Sequence, residues 1–304
     1  MKKIYVLLIS ILSFGLLVSC DNKKDNGKLN VVASTTMLGD LVRQIGKEKV
    51  DVIQLFSPGI DPHLALPSGA DTKALAESDL IVFSGLHLEA QFIEPLSSYK
   101  DKTLFAGDLL DESKILKVKE DDGEAIDPHI WFSVPIWMDI TRIVGNRLKE
   151  ADSKNEEFYE ENIINYLKEL EDLHNWINQE LDENLPLEKR ILVTAHDAFI
   201  YFSHEYKFEV AAIQGISTES EAAPSDIMKI ANLILEKNVK AIFIESTVPK
   251  KTVDAVINEV KSKNKDYVIK IGKELYSDAL GINDNQYYLN AIKTNVNNII
   301  EGLK

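Results

Sequence analysis

The stretch YEENIINYLKELEDLHNWINQELDENLP, residues 159–186, holds an unbroken helical pattern in the middle of the chain. Its apolar side chains recur every three or four positions, at Tyr159, Ile163, Tyr166, Leu167, Leu170, Leu173, Ile177 and Leu181. This spacing predicts one helix of about 27 residues, roughly 40 Å long, which Pro186 ends. A helix of that length can span two lobes and stiffen the link between them, so we expect only limited closure. The alternative is an ordinary surface helix.

Four short apolar runs lie on each side of this helix and alternate with helical patterns. The runs cover residues 29–35, 50–56, 80–84 and 103–106 before it, and residues 191–195, 208–214, 239–245 and 267–271 after it. Near-continuous apolar strands that alternate with helices are typical of parallel sheets covered on both faces. The predicted fold class is therefore α/β, with two lobes that each contain a four-stranded parallel sheet flanked by helices, joined by the long backbone helix.

The length of the chain, 304 residues, allows two domains that each bury a core. The predicted boundaries are 29–135 for an N-terminal lobe, 136–187 for the linking helices and 188–304 for a C-terminal lobe.

Residues 1–19 have the pattern of a bacterial secretion signal. Two lysines precede an apolar run at residues 4–18, which is too short for a typical membrane span. The run ends in Leu17-Val18-Ser19-Cys20, which resembles a lipobox, so we expect Cys20, the only cysteine, to be acylated as the new N-terminus. The alternative is an ordinary signal peptide with an incidental cysteine. The polar residues 20–28 then form a flexible tether.

The formal net charge is −15, and the sequence has no basic stripe. This charge argues against nucleic acid and anionic lipid as partners, because both are bound through clustered lysine and arginine side chains. The sequence has no His-Glu-x-x-His, no Gly-x-Ser-x-Gly and no glycine-rich phosphate loop. It therefore carries none of these common catalytic signatures.

The tripeptide Asp-Pro-His occurs twice, at 61–63 and 127–129, and accounts for two of the six histidines. Proline fixes its own φ and biases the preceding residue toward extended backbone, so each histidine leaves a stiff loop. Such a loop suits metal ligation, in which the ligand must be held in position before the ion arrives. His63 and His129 are therefore predicted metal ligands. The alternative is a pair of loop histidines beneath a proline turn.

Two further candidate ligands follow strands of the predicted C-terminal lobe. His196 comes directly after the first of these strands, and Asp278 follows the last. Open α/β sheets bind ligands outside the carboxyl ends of their strands, so a cleft between the lobes could bring both residues to His63 and His129. Three imidazoles and one carboxylate complete a four-coordinate shell for a divalent first-row metal. His196 could instead be bonded to backbone, and Asp284 could compete with Asp278.

The remaining candidates have supporting or structural roles. Glu245, at the end of a strand, is expected to hold the His196 ring in one tautomer. His87 is expected to be structural or to support a ligand. His174, within the long helix, is expected to be solvated, and His204 is expected to lie on the surface.

Six motifs occur in order after the lipobox. They are Asp-Pro-His at 61–63, Asp-Pro-His-Ile-Trp at 127–131, Val-Thr-Ala-His-Asp-Ala-Phe at 193–199, Gly-Ile-Ser-Thr-Glu at 215–219, Ile-Glu-Ser at 244–246 and Ser-Asp-Ala-Leu-Gly at 277–281. Over essentially the whole mature chain this resembles the metal-binding lipoproteins of manganese and zinc ABC transporters, the solute-binding proteins of cluster A-I. The resemblance implies a metal between two four-stranded lobes, with His63, His129, His196 and Asp278 as its ligands.

The third ligand position separates branches of that family. Strongly manganese-selective members carry glutamate there, whereas this chain has His196, as in the treponemal branch that it most resembles. Zinc specialists often carry a histidine-rich loop where this chain has residues 117–126, which contain no histidine. The resemblance thus implies Mn²⁺ or Zn²⁺ as the transported ligand and leaves the choice open.

The resemblance implies an extracytoplasmic solute-binding lipoprotein, not an enzyme, that captures the metal between its lobes. As a monomer anchored by lipid on Cys20, at the periplasmic face or the cell surface, it would deliver the metal to a cognate ABC permease and ATPase. Asp278 is expected to move on release, because its loop looks long and exposed. Two alternatives stay open: a zinc-dependent hydrolase with a three-ligand open site and Glu245 as base, and a surface adhesin.

Overall fold

The structure, a computed structural model, describes residues 26–120 and 123–304. The predicted signal peptide, Cys20 and most of the tether lie outside the described residues. Within the described ranges, no helix is long and apolar enough to cross a membrane.

The N-terminal lobe contains a four-stranded sheet in which all strands run parallel. Its strands are β1 (Leu29–Ala33), β2 (Val50–Gln54), β3 (Leu80–Phe83) and β4 (Thr103–Phe105). The order β2-β1-β3-β4 places β1 and β3 in the middle, where most of their side chains are buried. A central strand of a parallel sheet is covered on both faces, which explains the unbroken apolar runs in the sequence.

The helices of this lobe are α1 (Thr36–Gly46), α2 (Gly69–Glu77) and the short α3 (Ile93–Leu96). The first two begin where the sequence supplies a capping side chain. Thr35 caps α1 by accepting a hydrogen bond from the backbone N–H of Leu38, and Ser68 caps α2 in a reciprocal pair with Asp71. Helix α1 therefore starts at the carboxyl edge of the sheet, directly after β1.

The described residues of the histidine-free stretch, 117–120 and 123–126, pair as two antiparallel strands apart from the main sheet. Its strands are β5 (Lys117–Glu120) and β6 (Gly123–Ile126). Asp127, which opens the second Asp-Pro-His, directly follows β6.

Two consecutive helices link the lobes, α4 (Val134–Ala151) and α5 (Glu156–Asn184). Helix α5 has 29 residues, hence a length of about 44 Å at the usual rise per residue. Its buried side chains repeat the predicted apolar stripe: Tyr159, Ile163, Tyr166, Leu170, Leu173, Ile177 and Leu181.

The C-terminal lobe repeats the alternation of strands and helices. Its strands are β7 (Ile191–His196), β8 (Glu209–Gln214), β9 (Ala241–Ile242) and β10 (Lys270–Ile271). Its helices are α6 (Ile200–Tyr206), α7 (Pro224–Lys237), α8 (Lys251–Lys263) and α9 (Tyr288–Leu303).

The four strands of this lobe form two parallel ladders, β7 with β8 and β9 with β10. A backbone hydrogen bond of 2.9 Å from Phe243 N to Val193 O connects β9 to β7. The resulting order, β8-β7-β9-β10, matches the order in the N-terminal lobe. The strands of this lobe are parallel, as predicted, but the predicted four-stranded sheet is divided into these two ladders.

Strands β9 and β10 are also shorter than the predicted runs 239–245 and 267–271. A bulge interrupts the pairing directly after both strands. Ile242 O accepts from Gly272 N, and Ile244 O accepts from Leu275 N, so one side advances three residues while the other advances two. Pairing resumes as a single bridge between Glu245 and Leu275.

Helix α5 packs against α1 of the N-terminal lobe and against α9 of the C-terminal lobe. One apolar core runs through both contacts and includes side chains such as Val42, Tyr166 and Ile299. The prediction that the long helix spans both lobes is confirmed, and the alternative of an ordinary surface helix is wrong. The domain boundaries at 29–135, 136–187 and 188–304 stay predictions.

Candidate metal centre

Four buried side chains from the two lobes meet between the sheets: His63, His129, His196 and Asp278. Each can place one ligand atom within 4.8 Å of the other three. Nε2 of His63 lies 3.3 Å from Nε2 of His129. The Asp278 carboxylate lies 3.4 Å from Nε2 of His129 and 3.2 Å from Nε2 of His196. The structure therefore brings together all four residues that the sequence proposed as ligands.

The two Asp-Pro-His motifs use the same local hydrogen bond. Oδ1 of Asp61 accepts from the backbone N–H of His63 at 2.9 Å, and Oδ1 of Asp127 accepts from the N–H of His129 at 2.9 Å. An aspartate that accepts from the backbone two residues further on fixes a tight turn. Aspartate and proline together therefore set the backbone from which each histidine projects.

The two aspartates differ in their second contact. Oδ1 of Asp127 also lies 2.7 Å from Nδ1 of His129, so it orients the ring and leaves Nε2 facing the cluster. Oδ2 of Asp61 instead accepts a hydrogen bond from Thr218 of the C-terminal lobe at 2.5 Å. Sequence reasoning missed the ring contact of Asp127. The repeated aspartate pointed to such a contact in the sequence. Only the structure shows that Asp127, and not Asp61, contacts the ring of its histidine.

Strand β7 ends at His196, and Glu245 fixes that end. Oε1 of Glu245 accepts from the backbone N–H groups of Ala195 and His196 at 2.8 and 2.9 Å. Its other oxygen, Oε2, lies 2.5 Å from Nδ1 of His196. Glu245 is thus placed where the sequence proposed it, at the ring nitrogen that does not face the cluster.

The expectation of a long exposed loop around Asp278 is wrong, because Ser277, Asp278, Ala279 and Leu280 are each at most 4% exposed. The reason is that residues from the N-terminal lobe cover the segment. The competitor Asp284 lies further along the same segment and is exposed. It is not one of the clustered residues.

The pKa values in the cluster follow from burial and from the carboxylates. Burial lowers the pKa of His63 to about 3, so its ring is neutral. Burial also opposes charge on His129, but Asp127 raises its pKa to about 9. Burial opposes charge on His196 as well, but Asp278 raises the pKa of His196 well above its usual range. Burial would raise the pKa of Asp278, yet His196 and His129 hold it well below its usual range.

Two buried atoms that face the cluster, Nε2 of His196 and Oδ1 of Asp278, make no hydrogen bond of normal geometry in the described structure. Buried polar atoms in native proteins nearly always have a partner. An imidazole nitrogen and a carboxylate oxygen that point to the same place are suitable ligands for a divalent first-row metal. The chemistry of the cluster therefore fits a bound dication.

The three other histidines lie outside this cluster. His204 is exposed, as expected for a surface residue. His87 is exposed too and is not one of the clustered residues, and its structural or supporting role stays a prediction. His174 is only partly exposed, and its Nδ1 lies 3.2 Å from the hydroxyl of Tyr206. The prediction of a solvated His174 is wrong, because α6 covers this face of α5.

The chain thus has two α/β lobes joined by a long helix, and a buried cluster of three histidines and one aspartate lies between them. These features define the class of metal solute-binding proteins. The chain belongs to the ZnuA family. The family model described as zinc-uptake complex component A, periplasmic, matches residues 31–302.

Individual relatives cover nearly all of the chain. The manganese-binding lipoprotein MntA of Bacillus subtilis is 35% identical over 286 residues, covering 93% of this chain and 92% of the relative. The manganese ABC transporter substrate-binding lipoprotein PsaA of Streptococcus mitis is 31% identical and covers 100% and 99%. The solved structure of the periplasmic zinc-binding protein TroA of Treponema pallidum superposes with a TM-score of 0.87 at 34% identity, covering 91% and 99%.

The comparisons confirm the predicted family and fold class. The family supplies the substrate-binding component of metal ABC transporters, so its partners are a permease and an ATPase, and the chain is not an enzyme. This assignment supports the metal-binding role and neither the hydrolase nor the adhesin.

Proposed function

We propose that this chain captures Mn²⁺ or Zn²⁺ with the Nε2 atoms of His63, His129 and His196 and the carboxylate of Asp278, and delivers it to its permease. The observation that carries the proposal is the convergence of these four buried ligand atoms within 4.8 Å. Four protein ligands close a tetrahedral shell, which suits holding an ion and not activating a water.

The ligand set accepts both ions. Imidazole suits Zn²⁺, and the order of affinities places Zn²⁺ above Mn²⁺ at almost any such site. Purified protein should therefore bind Zn²⁺ more tightly, whereas the metal carried in the cell depends on which ion is available. The names of the relatives, a zinc-binding TroA and a manganese-binding MntA, support both ions for this fold.

Two further carboxylates tune the site without facing the metal. Asp127 and Glu245 each contact the Nδ1 atom of a proposed ligand, His129 and His196 respectively. A carboxylate in that position raises the basicity of the ligating nitrogen and fixes the ring. Three carboxylates therefore surround a bound dication, and their negative charge holds it more strongly than Asp278 alone would. Because the ion is held in this way, its release requires the ligands to move apart.

The location of the mature protein is part of this proposal. We infer that Cys20 carries the lipid that anchors the protein to the membrane, with the monomeric binding domain outside the cytoplasm at the periplasmic face or cell surface. The lipoprotein names of MntA and PsaA support the anchor. Labelling cells with a palmitate analogue tests it, because Cys20→Ala should abolish the label, and size-exclusion chromatography with light scattering tests the monomer.

The metal-binding role is tested by elemental analysis of protein purified without added metal, followed by equilibrium dialysis with Zn²⁺ and Mn²⁺. One metal ion per chain is expected. His63→Ala should lose it, whereas the matched control His204→Ala, which changes an exposed histidine, should keep it. Full retention of tightly bound metal by His63→Ala would contradict the proposal.

A further inference from the structure

The segment that carries Asp278 belongs to the C-terminal lobe by sequence, but it is bonded to both lobes. Its start is held by the C-terminal lobe: Leu275 N donates to Ile244 O at 2.9 Å, and Ser246 N donates to Leu275 O at 3.0 Å. Tyr276 is held by the same lobe, because its N–H donates to Oδ1 of Asn295 on α9 at 2.9 Å and its C=O accepts from Nδ2 of Asn295 at 2.8 Å. The partners change at Ser277. The lobe with which Asp278 moves is therefore decided by the contacts that follow Tyr276.

Residues of the N-terminal lobe and the link that leaves it bracket Asp278 on both sides. Before it, the indole N–H of Trp131 donates to Ser277 O at 2.9 Å. After it, Leu280 N donates to Oγ1 of Thr36, at the start of α1, at 2.7 Å. Both hydrogen bonds are buried. Breaking either one would therefore leave a buried polar group without a partner, which is costly.

The same helix and the same tryptophan hold the far end of the segment. Oδ2 of Asp40 accepts from the backbone N–H of Tyr288 at 2.8 Å. The hydroxyl of Tyr288 donates to Trp131 O at 2.7 Å. Thr36 and Asp40 are four residues apart on α1 and so share one face of that helix. Residues 277–288 are therefore fixed at three places by α1 and Trp131.

Against these contacts, the C-terminal lobe reaches Asp278 directly through one hydroxyl. Oγ1 of Thr247 lies 3.0 Å from Oγ of Ser277 and donates to Oδ2 of Asp278 over 3.4 Å, a long hydrogen bond. Among the hydrogen bonds and ion pairs of the described residues, this lobe also reaches Asp278 through His196, whose Nε2 lies 3.2 Å from the carboxylate. This contact becomes a shared bond to the metal when the ion is bound.

We propose that Trp131 and Thr36 are positioning residues that keep Asp278 with the N-terminal lobe when the lobes separate. The four ligands then divide as three and one. His63, His129 and Asp278 stay together, and His196 leaves with Glu245 and β7. This replaces the expected division into two ligands per lobe, and it rests on the proposed metal-binding function.

The division is measurable with spin labels, because a chain that carries Cys20→Ser has no other cysteine. Cysteines replace three exposed side chains, in pairs: Ile93 in the N-terminal lobe, Val268 in the C-terminal lobe and Ile282 in the segment. Double electron–electron resonance then gives the three distances with and without Zn²⁺. Zinc content, measured on each labelled sample, reports separately whether the chain binds metal.

We expect the Ile93–Ile282 distance to stay constant when Zn²⁺ is removed. The Val268–Ile93 and Val268–Ile282 distances should change together. A constant Val268–Ile282 distance with a changed Ile93–Ile282 distance would overturn it, since the segment would then move with the C-terminal lobe. Three unchanged distances would also overturn it. Labelled chains without stoichiometric zinc would instead reject the proposed function.

The anchors themselves are tested by near-isosteric variants. Thr36→Val removes the acceptor for Leu280 N, and Trp131→Phe removes the donor to Ser277 O. Each should accelerate loss of Zn²⁺ to a chelator about tenfold in stopped flow, because a buried group loses its partner. Each should also alter the visible spectrum of the Co²⁺-loaded protein, which reports ligand geometry.

Thr141→Val and Trp176→Phe are the matched controls. Thr141 is a buried threonine that bonds within α4, and Trp176 is a partly buried tryptophan of α5 whose ring lies beneath the Lys293 ammonium group. Both controls should keep the Co²⁺ spectrum and the off-rate of the parent protein. If Thr36→Val and Trp131→Phe matched the controls in spectrum and off-rate, Trp131 and Thr36 would not position Asp278, even in a protein that binds metal.

Discussion

Oε2 of Glu245 lies 2.5 Å from Nδ1 of His196, and both side chains are completely shielded from solvent. The second oxygen of the same carboxylate accepts from the backbone N–H groups of Ala195 and His196. One side chain thus fixes both the imidazole ring and the end of the strand that carries it. With Nδ1 facing Glu245, Nε2 is the nitrogen left for the metal.

Glu245→Gln should weaken metal binding. The amide keeps an oxygen for the backbone N–H groups but removes the negative charge beside Nδ1, so the ring becomes a poorer ligand. Loss of such a partner reduces metal affinity about 10- to 100-fold. Competition titration against a chromophoric chelator measures the change.

Glu89→Gln is the matched control. Glu89 is a buried glutamate of the N-terminal lobe that accepts from the N–H groups of Ser84 and Gly85, as Glu245 does from Ala195 and His196. Its substitution should leave the metal affinity unchanged. An equal loss in both variants would show that any buried carboxylate matters for stability and that Glu245 has no specific role.

The two Asp-Pro-His aspartates should respond differently to the same change. Asp127→Asn removes the charge beside the His129 ring and should lower metal affinity about 10- to 100-fold. Asp61→Asn keeps an acceptor for the His63 N–H and touches no ring, so an effect below about threefold is expected. Isothermal titration of both variants compares them, and a larger loss in Asp61→Asn would contradict the distinction.

Metal affinity should rise with pH. The pKa of His129 is raised to about 9, so its ring holds a proton at neutral pH that the metal must displace. Affinity should therefore increase by up to about tenfold per pH unit for each proton released, until the pH passes this pKa. Titrations in buffers of different ionisation enthalpy count the protons, and zero release at pH 7 would be incompatible with this assignment.

The metal-free protein should show the opposite trend in stability. A histidine whose folded pKa lies above its unfolded value of 6.5 stabilises the fold fully below that value. The contribution of His129 is lost as the pH rises through about 9. The difference in Tm between metal-loaded and metal-free protein should therefore grow between pH 6.5 and 9, which calorimetry measures. A constant difference would contradict the prediction.

The close packing of the two linking helices should make Gly145 intolerant of a methyl group. A Cβ at Gly145 would come within 2.4 Å of the Ile163 side chain on α5. Strain of this kind exceeds the gain in helix propensity, so Gly145→Ala should lower the free energy of unfolding by about 1–2 kcal/mol. Gly69→Ala, with no atom within 4 Å of the added carbon, is the control and should be neutral in denaturant titrations.

Local interactions explain what the sequence could predict. The spacing of apolar residues along α5 reports a periodic contact surface, so the helix and its buried stripe could be predicted. The Asp-Pro-His turns join residues only two positions apart, which is why the repeat pointed to His63 and His129. Glu245 could be predicted because it ends the apolar run at residues 239–245, although β9 itself ends at Ile242.

Contacts between distant residues explain what the sequence could not predict. Asp278 was expected in an exposed loop, because the bonds that bury its segment join residues 146 and 244 positions apart, Trp131 with Ser277 and Thr36 with Leu280. The pairing that follows β9 and β10 is interrupted by a single extra residue near Gly272. Neither feature has a periodic or local signature.

The most direct test of the central claim is a crystal structure of the metal-loaded protein with anomalous diffraction recorded at the zinc and manganese absorption edges. One anomalous peak is expected between the lobes, within about 2.0–2.2 Å of Nε2 of His63, His129 and His196 and of an oxygen of Asp278. A peak elsewhere, or a metal whose fourth ligand is water in place of Asp278, would contradict the four-ligand carrier site.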